Sequence, residues 1–200
     1  MTTASADVER VFRDSGALRE GHFILASGRH SPLYLEKFQV LQHPADTERL
    51  CAAMAFWARA IGVDTVAGPT TGGIILAHEV ARQLGVRAIY AERREGAPGR
   101  EFRRGFALSP GERVLVVDDI MTTGGSVQET IVAVRAAGGT VVGASVLVDR
   151  SGGAARLDVP VHALWSLDIA SYTPSECPLC AKGNLATHPG TTPAPEVVSR

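Results

Sequence analysis

The residues best suited to chemistry are two adjacent carboxylates, Asp118 and Asp119, followed by Ile120, Met121 and the run Thr122, Thr123, Gly124, Gly125, Ser126. Val114 to Val117 come before them, an apolar run too short for a helix that reads as a buried strand. A helix-period pattern follows, with Val127, Ile131, Val134 and Ala137 on one face, and ends at Gly138-Gly139. A strand, a loop of small residues and then a helix bring backbone N–H groups and a helix N-terminus together on an anion. Carboxylates repel phosphate, so the two acids must face a metal ion or sugar hydroxyls. A ribose carrying a 5-phosphate meets both demands. The plainer alternative is a βα turn with exposed acids and no ligand. The loop is not a Walker A motif, because no Gly-Lys-Ser/Thr closes it.

The elements that must position this stretch can be read in chain order. Asp7 to Ser15 predicts a short helix. Phe23 to Leu25 and Leu33 to Phe38 predict a hairpin turning at Ser27-Gly28-Arg29, and Pro44 to Ile61 a long amphipathic helix ended by Gly62. Thr65 to Ala67 predicts a second buried strand, which runs into Gly68-Pro69-Thr70-Thr71-Gly72-Gly73 and then a helix over Ile74 to Leu84. Val86 to Ala91 reads as a strand. Glu92 to Arg104 has five arginines and no hydrophobic period, which predicts a mobile surface loop. Thr140 to Val148 and Val161 to Trp165 predict further strands, with a short element at Leu167 to Ala170. From about Pro174 the composition turns to Pro, Thr, Ala and Gly, and the last dozen residues read as disordered. Strands alternating with helices imply a parallel sheet covered on both faces, with ligands beyond the carboxyl ends of its strands. The Gly68, Asp118 and Arg150 loops would all lie there.

Two hundred residues suit one domain with a small appendage. Twenty basic residues against 21 acidic ones argue against a general nucleic-acid or membrane surface. No apolar run approaches a membrane span, and the polar N-terminus is not a signal peptide, which points to the cytoplasm. Only Lys37 and Lys182 are lysines. Cys51 sits on an apolar helical face. Cys177 and Cys180 form Cys-Pro-Leu-Cys, half of a zinc-knuckle spacing, for which a four-coordinate zinc would need a partner chain or His188; a redox-labile or inert pair is the alternative.

All thirteen positions from Val114 to Ser126 fit the phosphoribosyl pyrophosphate (PRPP) signature of the type I phosphoribosyltransferases, and the chain resembles that family. Beside that signature, the segment Gly21 to Phe38, with Ser27-Gly28, Ser31-Pro32 and the aromatic Tyr34, resembles the N-terminal hood of orotate phosphoribosyltransferases. The resemblance covers roughly residues 16–153. It implies a type I phosphoribosyltransferase fold, a central parallel sheet flanked by helices. Residues 1–40 would form the helix and hood, 41–170 the PRPP-binding core and 171–200 an extension. It further implies transfer of a phosphoribosyl group from PRPP to orotate, with Mg2+, in pyrimidine biosynthesis, through an oxocarbenium-like transition state. Residues 122–126 would hold the 5-phosphate, Asp118 and Asp119 the ribose hydroxyls, and Thr70, Thr71, Gly72 and Gly73 the pyrophosphate. Thr122 and Arg150 match the residues that contact orotate, with Ser27 and Gly28 beside it and Tyr34 stacked on its ring. Without the resemblance, Tyr34 is a core aromatic and Arg150 the partner of Asp149 or Glu92. Arg93 and Arg94 match a mobile loop that closes over a neighbouring subunit's site, which implies a homodimer.

Four positions depart from the family. Ala26, Gly72, Ala97 and Gly99 stand where lysines and a histidine are usual, so no general acid is assigned. Arg100 or Arg103, on the same arginine loop, is the expected substitute at the pyrophosphate. Two rival readings are transfer to another nucleobase and a non-catalytic PRPP-sensing regulator that binds nucleic acid, which only the arginine loop supports.

Overall fold

The central strand obeys a simple alternation. In the computed structural model, which describes residues 5–189, Leu115 and Val117 join one hydrophobic cluster while Val114 and Val116 join another. Successive strand side chains point to opposite faces, so this strand is buried on both.

In chain order the elements are α1 (Ser5–Asp14), β1 (Leu18–Ile24), β2 (His30–Leu35), α2 (Phe38–Leu41), α3 (Pro44–Arg59), β3 (Thr65–Pro69) and α4 (Gly72–Leu84). There follow β4 (Arg87–Arg93), β5 (Arg100–Phe102), β6 (Arg113–Met121), α5 (Gly125–Ala136), β7 (Thr140–Asp149), β8 (Val161–Ser166) and α6 (Pro178–Ala181). Six strands form one sheet in the order β5-β4-β3-β6-β7-β8, parallel except for β5 at the edge. Residues of α1, α3 and α4 pack with Leu115 and Val117, and residues of α5 with Val114 and Val116. β1 and β2 form a separate antiparallel hairpin.

Several expectations shift. β6 does not end at Val117 but continues through both acids to Met121, because β7 pairs with it that far. Part of the predicted arginine loop is a hairpin, with Arg93 paired to Arg100 and Ala91 to Phe102; edge pairing is made by the backbone and needs no apolar period. Phe38 opens α2 instead of ending a strand. Leu167 to Ala170 forms no regular element. The tail beyond residue 189, expected to be disordered, lies outside the described residues.

Leu115 is fully buried where β6 meets the α3–α4 layer. Leu115→Ala should cost about 2–5 kcal/mol in urea unfolding. A loss no larger than that of Leu185→Ala, where the side chain is 91% exposed, would contradict this view of the core.

Candidate active site

The alternation that buries β6 also aims its acids. Asp118 continues the Val114–Val116 side toward α5, and Asp119 the Leu115–Val117 side toward α4. The hydrogen bonds agree with this. Ser126, in the first turn of α5, donates its hydroxyl to Asp118 Oδ2 at 2.5 Å, and the Asp119 N–H donates to Asp118 Oδ1 at 2.9 Å. On the other side Lys37 Nζ donates to Asp119 Oδ1 at 3.0 Å and lies 2.9 Å from Oδ2, while the Ile120 N–H donates to Oδ1 at 2.7 Å. Both acids are buried, 4% and 3% exposed. The alternative of exposed acids on a turn is therefore wrong: strand pairing holds them inside the fold.

Burial first, and then repulsion from Asp119, push the Asp118 carboxyl up to about 6. Asp119 Oδ2 is buried and accepts no hydrogen bond of good geometry. It faces Gly72, where any added Cβ would collide with it. In this conformation a side chain at position 72 would have to displace this carboxylate. The cation near Asp119 comes from Lys37.

The loop after β6 is open to solvent. Thr122, Thr123 and Gly125 are exposed. Among the described residues, the backbone N–H groups of Thr122, Thr123 and Gly124 have no protein partner. Gly124 caps α5 with φ +81°, a left-handed conformation that glycine adopts without strain. Free N–H groups and a twelve-residue helix begin at the same point, which is the arrangement an anion requires.

Arg150 lies one residue beyond β7, where its N–H donates to the Met121 carbonyl at 2.8 Å. Its Nε is buried without a partner. Neither rival partner pairs with it: Asp149 accepts from the Ser151 N–H and Glu92 pairs with Arg104. Burial lowers the Arg150 pKa, and Tyr34 is near enough to raise it again in part. Tyr34 also packs against Phe23, with ring centroids 5.8 Å apart. The hairpin thus brings Tyr34 toward Arg150, while Ser27 and Gly28 sit exposed at its tip.

Thr70, Thr71, Gly72 and Gly73 join β3 to α4 beside Asp119. Arg100, 4% exposed, donates to Thr70 Oγ1 at 3.1 Å and to the Ala91 carbonyl at 3.2 Å, with Glu129 3.3 Å from its Nε. Arg103 is held by Glu101 at 2.7 Å, and Arg93 and Arg94 are exposed on the hairpin. Of the two expected substitutes, Arg100 contacts the glycine loop and Arg103 does not. Sequence reasoning missed Lys37 in this role. A signal was available, since one of only two lysines stands at the end of the expected hood strand.

Buried acids at the end of a central parallel strand, a free-amide loop and a helix start are the arrangement expected of a phosphoribosyltransferase. Residues 39–169 match the model of the phosphoribosyl transferase domain. The orotate phosphoribosyltransferase of Pelotomaculum thermopropionicum is 50% identical over 92% of this chain and 96% of its own. That of Desulforamulus reducens is 50% identical over 90% and 94%. The crystal structure of orotate phosphoribosyltransferase from Aeropyrum pernix aligns with TM-score 0.68 and 30% identity over 80% of this chain and 93% of that one. The chain belongs to the phosphoribosyltransferase family, in its orotate phosphoribosyltransferase branch.

The raised Asp118 value carries a sign. Between the ordinary 3.8 and about 6, the folded protein holds a proton that the unfolded chain releases, so this group lowers stability as pH rises through that window. Asp118→Asn should therefore raise the thermal midpoint at pH 8 relative to the parent, and the gain should shrink toward pH 4. An equal difference at both pH values would contradict the assignment.

Proposed function

We propose that this protein transfers the phosphoribosyl group of PRPP to orotate, giving orotidine 5′-monophosphate and pyrophosphate, a step of pyrimidine biosynthesis. The observation that carries the reading is half-buried Arg150, whose Nε is buried without a partner, at the end of the strand next to the proposed sugar-phosphate cradle. Orotate is a flat ring bearing a carboxylate, and a desolvated arginine fork with Tyr34 close by suits it. Other nucleobases lack that carboxylate and would leave the cation unpaired.

In this reading the N–H groups of residues 122–126 grip the 5-phosphate, and Asp118 and Asp119 accept from the ribose hydroxyls. Asp119 Oδ2, lacking a well-placed donor, gains one when the sugar binds. Lys37 prevents two adjacent carboxylates from presenting their full charge to a polyanionic substrate. The Thr70–Gly73 loop receives the pyrophosphate, with Arg100 behind it and Arg93 and Arg94 supplied by the hairpin. The N1 of orotate then forms its bond to the ribose C1 as the C1–O bond to pyrophosphate breaks, and the N1 proton passes to the departing pyrophosphate or to water. Positioning and charge stabilisation, not a covalent enzyme intermediate, lower the barrier.

The donor set fits magnesium carried largely by substrate oxygens, because two carboxylates, one of them paired with Lys37, make no cage of their own. When bound, the ion offsets charge on the departing pyrophosphate. A homodimer in the cytoplasm completes the proposal; no helix among the described residues is long and apolar enough to cross a membrane.

The test is the fall in orotate ultraviolet absorbance on adding PRPP and Mg2+. No change with orotate, but turnover of a purine or uracil, would overturn the base assignment. Arg150→Ala should raise KM for orotate at least tenfold, about the loss of one charge-assisted hydrogen bond, with KM for PRPP little changed. Equal effects on both constants would refute its role.

A further inference from the structure

Away from the sugar-phosphate site, two imidazoles and two thiols converge. The ligand atoms of His22, His30, Cys177 and Cys180 all lie within 4.8 Å of one another, with His22, His30 and Cys177 buried and Cys180 exposed. His22 Nε2 is 2.8 Å from His30 Nδ1, 3.5 Å from Cys177 Sγ and 3.7 Å from Cys180 Sγ. His30 Nδ1 is 3.2 Å from Cys180 Sγ. Tetrahedral zinc, with bonds near 2.0–2.1 Å to nitrogen and 2.3 Å to sulfur, sets its ligand atoms about 3.3–3.8 Å apart.

We propose that these four side chains form a structural zinc site that fastens the C-terminal extension to the hood hairpin. Two thiolates and two imidazoles are the donor set zinc takes in closed structural sites. Local structure prepares it from both sides. The Phe23–Ser31 and Ile24–His30 pairing places His22 and His30 as diagonal neighbours on one face of the hairpin. Cys177 and Cys180 flank the start of α6, one helical turn apart. His22 Nδ1 lies 2.9 Å from the Asn184 carbonyl, to which it can donate, leaving Nε2 unprotonated toward the cluster. A backbone carbonyl orienting a ligating histidine in this way is the usual outer-shell partner of a zinc site.

Ordinary packing explains the cluster poorly. A neutral histidine pair can share one proton, and sulfur is a weak partner for what remains. The surrounding backbone is already zipped. The Thr187 N–H donates to the His22 carbonyl at 2.9 Å, and the Ile24 N–H to the Thr187 carbonyl at 2.8 Å. His30 and Tyr172 exchange a pair of hydrogen bonds at 2.8 and 2.9 Å. Arg29 donates to Ser171 Oγ at 2.9 Å. Zinc would lock this seam at its centre. The missing ligands for the Cys-Pro-Leu-Cys half-site thus come from the hood, not from His188 or a partner chain.

Untagged full-length protein purified from zinc-supplemented cells should carry about one zinc per chain by mass spectrometry of the metal, the stoichiometry of a single closed site. Cobalt exchange should give thiolate-to-cobalt charge transfer and tetrahedral d–d bands. Cys177→Ser with Cys180→Ser should abolish both, whereas His188→Ala should keep them. Metal-free protein after zinc incubation, full zinc retention in the double serine variant, or loss of zinc in His188→Ala would each overturn the proposal. Should the double variant fail to fold, the parent's cobalt spectrum decides: no sulfur charge transfer, or a Cys177–Cys180 disulfide in protein purified under reducing conditions, rules the site out.

Discussion

Everything in this structure turns on keeping two neighbouring carboxylates at the end of the innermost strand, out of water. Burying one charge is costly and burying two side by side is more so. The fold meets that cost by sending them to opposite faces of the sheet. Asp118 receives Ser126 at the start of α5, and Asp119 receives Lys37 from beyond the hood strand. Each acid is thus held by a different part of the chain. In the proposed function these acids are the acceptors for sugar hydroxyls, kept oriented at some expense in stability.

The same arrangement orders the surroundings. With Asp119 on the α4 side, the β3–α4 loop must pass close to it, and Gly72 leaves just enough room. With Asp118 on the α5 side, the first turn of that helix is drawn against the strand, and the amides before it face outward. The hairpin of β1 and β2 brings Tyr34 to the neighbourhood of Arg150, and the segment that leaves it toward α2 supplies Lys37 to the acids. The position of that hairpin is set in turn by the extension at Tyr172, Thr187 and the histidine–cysteine cluster. The appendage is therefore tied to the hairpin that the proposed function places over the base.

Much of this was legible in the sequence because strand and helix periods are local. Val114 to Val117, the glycine loops and the α3 pattern announce themselves within a few residues, and the alternation of Val114, Leu115, Val116 and Val117 foretells which cluster each joins. What stayed hidden depends on pairing between distant segments. The extension of β6 through Asp118 and Asp119 is set by β7. The β4–β5 hairpin is made by backbone bonds that leave no mark on side-chain polarity. Lys37 meets Asp119 across 82 positions, and Cys177 meets His22 across 155; no spacing rule reaches so far. The family resemblance supplied a reading of the base site that periodicity could not, and at Gly72, where the family has a lysine, the structure sets Asp119 close against the backbone.

The most direct measurement is a crystal structure of the protein with PRPP and Mg2+. The account predicts the 5-phosphate within hydrogen-bonding distance of the amides of residues 122–126, with ribose hydroxyls donating to Asp118 and Asp119. A sugar phosphate bound elsewhere, with those amides turned to solvent and Asp119 still held only by Lys37 and the Ile120 N–H, would contradict it.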